Sequence, residues 1–211
     1  ASSLCKDVRS VLVEEYSDIR DYDAPQVITS IMLMGQKPEM LKNSPMLEFM
    51  GMGFRQSIDM LAHALGLALD DYRAEHEVAI ATAPIEQPWG RIEEGTVAGQ
   101  RFTWQGLRRG EPVVTTRVHW MMGFEDMEPV WSYDWKGWQV TFDADPPVRL
   151  RLETCWTDEA GGPTDAAYRR DHGIIATAQH LVNAITSVCA AEPGIKTYLD
   201  LPMYAGRWTA A

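Results

Sequence analysis

The segment EEYSDIRDYDAPQVI, from Glu14 to Ile28, gathers the side chains with the most obvious chemical potential. The acids Glu14, Glu15, Asp18, Asp21 and Asp23 share it with Arg20 and with the phenols Tyr16 and Tyr22. Carboxylates crowded where a strand gives way to a helix can transfer protons, form the polar wall of a pocket, or cap the turn. Asp23, just before Ala24-Pro25, has the type and position of a helix cap, a role worth roughly 1 kcal/mol. Tyr16, Asp18 and Tyr22 are the residues of this segment that would line such a pocket wall.

A second cluster lies in EPVWSYDWKGWQV. If this stretch is extended, Trp131, Tyr133 and Trp135 fall on one side and make an aromatic wall, either for a ligand or for a sheet core or subunit contact. The histidines His63, His76, His119, His172 and His180 show no spacing such as His-Glu-x-x-His, so no metal is expected, and most read as structural or exposed. His172 is the exception, because a helix N-terminus favours the neutral imidazole. The run GMGFRQ, from Gly51 to Gln56, has part of a dinucleotide fingerprint. It sits inside a helical pattern, with Gln56 where the last glycine belongs, so close helix packing explains it better than nucleotide binding. No Gly-x-x-x-x-Gly-Lys loop is present, and the chain alone is expected to bind no nicotinamide cofactor.

The elements that must hold these residues can be read from periodicity. VRSVLVEEY, from Val8 to Tyr16, is a β-branched strand. Val27, Ile28, Ile31 and Met34 recur at helical spacing after Pro25, and Gly35 ends that helix. Ser44-Pro45 starts a longer helix carrying Leu47, Met50, Phe54, Ile58, Leu61 and Leu65, closed by Gly66. YRAEHEVAIA alternates as a strand with one wet face. Gly90 to Met122 reads as a β-meander with Val114, Thr116, Val118, Trp120 and Met122 on one side. GWQVTFDA and VRLRLETCW follow as strands, DEAGGPTD as a loop, and Ile174, Ala178, Leu181, Ile185 and Val188 mark a final amphipathic helix before Pro193-Gly194. Strands with flanking helices imply an α+β fold, a mixed or mostly antiparallel open sheet with helices on one face, in a single domain spanning residues 1–211.

Composition narrows the partners. The 211 residues are 45% hydrophobic, enough for a full core. With 30 acids against 19 bases the net charge is -11, which repels a phosphate backbone, so no nucleic acid is expected. The apolar runs are read as interrupted within a few residues, short of the roughly 20 a membrane span needs. Cys5, Cys155 and Cys189 form neither a disulfide framework nor a metal pattern, which favours a reducing, cytoplasmic setting.

The order of motifs then becomes informative. EEGTVAGQRFTWQGLRRGEPVVTTRVHW, with Gly95, Gly99 and Gly110-Glu111, resembles the substrate-domain strands of dihydrodipicolinate reductase. The Asp-Ala-Pro entry at Asp23 and the closing GIIATAQHLVNAITSVCAAEPGIKTYLDLP are similar to that family's helix entry and final helix. The departures matter as well: where that family has a His-His pair, a Lys and Ser-Gly-Thr, this chain has Tyr16-Ser17-Asp18, Tyr22 and Gln26-Val27-Ile28. A pocket built so should not hold a dicarboxylate. The aromatic insertion between Met122 and Asp171 resembles instead the branch containing diaminopentanoate dehydrogenase and the native amine dehydrogenases.

That resemblance implies an NAD(P)H-dependent reduction of an imine, with the cofactor held by a Rossmann domain that this chain lacks. The chain, which starts at Ala1 without Met, would be the substrate-binding and dimerising portion, inactive by itself. It also implies a homodimer through the sheet, since Phe102, Trp104, Val118 and Trp120 offer more apolar area than the helices can cover. The competing reading is a non-catalytic α+β module that binds an apolar small ligand.

Overall fold

A computed structural model describes residues 1–131, 135–153 and 172–206. The chain divides into two compact units, Ala1–Glu153 and Thr154–Ala211, and each is described by itself.

The first unit is built on a seven-stranded sheet. Its strands are β1 (Asp7–Asp18), β2 (Asp71–Ala81), β5 (Val97–Arg108), β6 (Glu111–Met121), β7 (Met127–Glu128), β8 (Gly137–Asp145) and β9 (Val148–Leu152). They lie in the order β7-β2-β5-β6-β1-β8-β9, with β3 (Ile85–Gln87) and β4 (Gly90–Ile92) forming a separate hairpin. Among the described residues only β1 and β6 run parallel, and the other pairs are antiparallel, so the sheet is mixed within an α+β fold.

Strand alternation gives the sheet two unlike faces. Phe102 pairs with Val118 and Trp104 with Thr116, and Val114, Val11, Val140 and Phe142 continue the same side across β6, β1 and β8. Helix α1 (Pro45–Ala64) covers this side with Phe54, Ile58, Leu61 and Ala62. Its apolar residues recur at steps of three and four, so one stripe faces the sheet, and after Gly66 (φ 67°) the chain returns to β2. Burying such side chains is the main favourable contribution to folding. The covering helix changes one premise of the dimer expectation. Phe102 is 2% exposed and Trp104 7%, both already buried inside one chain. β8 and β9 extend the sheet at the β1 edge.

Two local expectations also differ. The residues after Pro25 do not continue as an α-helix: Met32 N–H bonds to the carbonyl of Val27, five residues back, giving a short π-turn over Val27–Ile31. Buried Ile28 and Met34 pin it into a core with Ile19, Ile92, Val97 and Met121, which the helical periodicity alone could not foresee. Gly51 and Gly53 do lie in a helix, but not for close packing. A Cβ on Gly53 would meet nothing within 4 Å, and one on Gly51 would only touch Trp104 Nε1 at 3.4 Å.

In the second unit, α2 (His172–Ala190) is followed by a tail that returns along it, with Tyr204 Oη 3.1 Å from His180 Nε2. Gly173–Ala190 holds no Asp, Glu, Lys or Arg over its 18 residues and has a mean hydropathy of 1.3. The reading that every apolar run is soon interrupted is therefore corrected: this helix is long and apolar enough, by length and composition, to cross a bilayer. It also carries Thr177, Gln179, His180, Asn183, Thr186 and Ser187, with Gln179 donating to Asn183 at 2.9 Å.

Candidate functional site

The C-terminal ends of β1 and β6 place several of the expected residues together, on the face opposite α1. Tyr16 stacks on His119, its neighbour across the parallel pair, with ring centroids 4.5 Å apart and planes 6° from parallel. Trp135 meets Tyr16 edge-on at 4.6 Å, and Arg151 lies 4.7 Å over the Trp135 ring. His119 Nδ1 donates to the carbonyl of Glu15 at 2.9 Å, because a carbonyl only accepts; that bond fixes the neutral tautomer. Burial, opposed by the bond to Glu15, lowers the imidazole to about 4.

Asp18 belongs to the same end of β1, and its carboxylate is 1% exposed. It accepts from Arg20 Nε at 2.8 Å and Nη2 at 2.6 Å, and Lys136 Nζ stands 3.2 Å away. Burial raises its pKa, but the Arg20 bonds and the two cations outweigh this and hold the carboxyl below its usual range. Its charge is thus met within the protein, and it ties β1 to the segment before β8. Asp18 also caps the turn Ile19–Asp21 through Arg20 N–H at 3.1 Å.

Next along this face is a polar layer. Glu14, buried, accepts from Gln139 at 3.1 Å and from Arg117 at 3.3 Å; Gln139 in turn accepts from Arg151 at 2.9 Å. Trp131 lies farther along, against Gly99, where a Cβ would sit 3.3 Å from its ring, and Arg101 is 5.0 Å over it. Tyr22 is partly buried and packs against the core that holds Ile28 and Met34. Tyr133 lies outside the described residues, and His172 opens α2 with its side chain outside them.

On the α1 face the structure assembles a chain of contacts that sequence reasoning passed over. His76 Nε2 donates to Gln100 Oε1 at 3.1 Å, and Gln100 Nε2 donates to the carbonyl of Met32, at the end of the π-turn. The His76 ring stacks on Phe102 at 4.5 Å, and Trp120 meets Phe102 edge-on at 5.2 Å. Burial lowers the pKa of His76, against the raising effects of Gln100 and Glu77, which favours a neutral ring at pH 7. The signal was present in YRAEHEVAIA, where alternation sets His76 among Tyr72, Ala74 and Val78 on the dry side. π-Turns are rare and concentrate at functional sites, and the residue after this one, Leu33, holds φ at 58°, a costly value for a side chain of its shape. Val27 and Ile31 on the turn are 42% and 43% exposed, an apolar surface next to a fixed hydrogen-bond network. An apolar surface beside fixed polar groups is one ingredient of a site that orients a small molecule.

Residues 2–151 match the family described as 2,4-diaminopentanoate dehydrogenase C-terminal domain, and the chain belongs to it. It is 28% identical over 212 residues to an amine dehydrogenase from Streptomyces virginiae, covering 96% of this chain and 55% of that protein. An amine dehydrogenase structure from Mycobacterium smegmatis superposes with a TM-score of 0.65 at 18% identity, over 97% of this chain and 54% of the other. The chain therefore spans about half the length of both relatives. The expected resemblance to the diaminopentanoate and amine dehydrogenase branch holds. It is the C-terminal domain of an oxidoreductase family.

Proposed function

We infer that this chain is the substrate-binding portion of an NAD(P)H-dependent dehydrogenase that interconverts a small amine and its imine or carbonyl counterpart. The observation that carries the reading is the family match over residues 2–151, with amine dehydrogenases as relatives along nearly the whole chain. The nicotinamide supplies the hydride when bound. Gly51 and Gly53 stand within α1, not at a strand-to-helix turn, so this pair does not fit its phosphates, and the reading gives the cofactor to a separate N-terminal domain.

The work of this portion is binding and orientation. Neutral His76, held by Gln100, faces a nitrogen-bearing group without charge repulsion, while Val27, Ile31 and Trp120 offer apolar contact. Tyr16, Trp131 and Trp135 build the opposite face, and Asp18, already paired, contributes to its integrity more than to substrate charge. A homodimer is part of the reading; with Phe102 and Trp104 beneath α1, its contact would use the face opposite that helix.

The test is turnover by the full-length enzyme, in both directions, with NADH and with NADPH, over 2,4-diaminopentanoate and simple amines. His76→Ala should lower kcat/KM roughly 10- to 100-fold, in the range of a lost orienting group. Absence of turnover of any amine with either cofactor would overturn the reading.

A further inference from the structure

Helix α2 presents an apolar stripe that the described residues of its own unit leave bare. Ile174, Ala178, Leu181, Ile185 and Val188 recur at steps of three and four, so they share one side of the helix over about 21 Å. Leu181 is 64% exposed and Ile185 56%, and Val182 beside them is exposed as well. The tail that follows takes the other side. Tyr204 reaches His180, whose ring also meets Tyr198 at 5.3 Å. A turn fixes that tail, because Asp200 accepts from both the N–H and the hydroxyl of Thr197 at 2.8 Å. The covering segment therefore lies on the polar side, and the aliphatic side stays in water, which marks an interaction surface.

A bilayer, a second copy or a further part of the same protein could cover such a stripe. The polar side argues against the bilayer: Gln179, His180 and Asn183 fall at the middle of the helix, where a spanning segment would carry them to the least polar depth. The extent of the family match favours a further part of the protein. The C-terminal domain match stops at residue 151, before the second unit begins at Thr154, whereas the Streptomyces virginiae amine dehydrogenase is matched over 96% of this chain. Helix α2 thus belongs to the stretch shared with that relative but not to the matched domain. This chain covers 55% of the relative, so almost half of such a protein lies beyond it. We propose that the apolar stripe of α2 docks onto the nucleotide-binding half of the full-length enzyme, with Leu181 and Ile185 at the centre of the contact. The identity of that half rests on the dehydrogenase reading. Contacts between domains of one chain bury roughly 600–1,500 Å², and a helix stripe of this length can supply their apolar centre.

The test places photoactivatable benzoylphenylalanine in place of Leu181 in the full-length enzyme, with the same group in place of Thr186, on the polar side, as the control. Irradiation in the presence of phosphatidylcholine–phosphatidylglycerol vesicles, followed by peptide mass spectrometry, should join position 181 to residues that precede this chain in the same polypeptide. Mixed ¹⁴N- and ¹⁵N-labelled protein shows whether each adduct lies within one molecule. In parallel, Leu181→Glu should lower the Tm of the full-length enzyme by roughly 5–10 °C, and Thr186→Glu by about 2 °C or less. Adducts confined to this chain, to a second copy or to lipid, or a Leu181→Glu enzyme as stable as Thr186→Glu, would overturn the proposal. Adducts to the preceding residues in an enzyme that turns over no amine would uphold the docking and overturn the dehydrogenase reading alone.

Discussion

The sheet of the first unit is held by different physics on its two sides. Under α1, Phe102, Trp104, Val114 and Val118 are buried against a helix, and stability there comes from area removed from water and from close packing. On the other side Glu14, Arg117, Gln139 and Arg151 satisfy one another, while Tyr16 stacks on His119 under Trp135. Non-directional burial tolerates change of shape poorly but change of pH well. A buried polar layer does the reverse, since its contribution depends on which groups carry protons. The contrast shows why His76 draws notice: it is a titratable residue on the packed side, bonded to a buried glutamine.

The largest expected effect is on the packed side. Phe102→Ala, at 2% exposure, should destabilise by about 3–5 kcal/mol in urea unfolding. A loss comparable to that of the partly buried Arg101→Ala, roughly 1 kcal/mol or less, would dissolve the contrast.

On the polar side, His119 should make stability pH-dependent. Its folded value of about 4 lies below the unfolded value near 6.5, so the unfolded chain binds more protons between them. Stability should therefore fall as pH drops from about 6.5 toward 4, by something on the order of 3 kcal/mol, with neutral-range stability unaffected. His76, shifted the same way, adds to the trend. His119→Phe should flatten the profile measured by thermal unfolding; an unchanged slope would remove His119 from the account.

Asp18 acts over a lower range. Its depressed pKa means that its contribution is present above the unfolded value near 3.9 and is lost as pH falls through the lower folded value. Asp18→Asn should cost about 1–2 kcal/mol at pH 7, discounted because Arg20 and Lys136 are each more than a third exposed. Its effect on the KM of the full-length enzyme should be small beside that of His76→Ala.

The smallest effect has the opposite sign. Gly53→Ala, where an added Cβ meets nothing within 4 Å, should raise stability by about 0.5–1 kcal/mol through helix propensity alone. A loss there would mean that Gly53 serves a partner surface.

Much of this architecture was already legible in the chain. Strand alternation and helical spacing depend only on neighbours a few residues apart, which is why the strand at YRAEHEVAIA, the meander and the helix after Ser44-Pro45 could be read directly. Alternation also separated Phe102 and Trp104 from Arg101 and Thr103. What covers each side, however, depends on contacts between distant residues. Whether α1 or a second copy shields Phe102, whether Asp18 faces a ligand or is closed by Lys136 far along the chain, and whether the turn after Pro25 winds as α or π were decided by tertiary packing. His76 marks the boundary. The sequence put it on the dry face, and only the folded sheet, by bringing Gln100 and the Met32 carbonyl to it, made that position chemically meaningful.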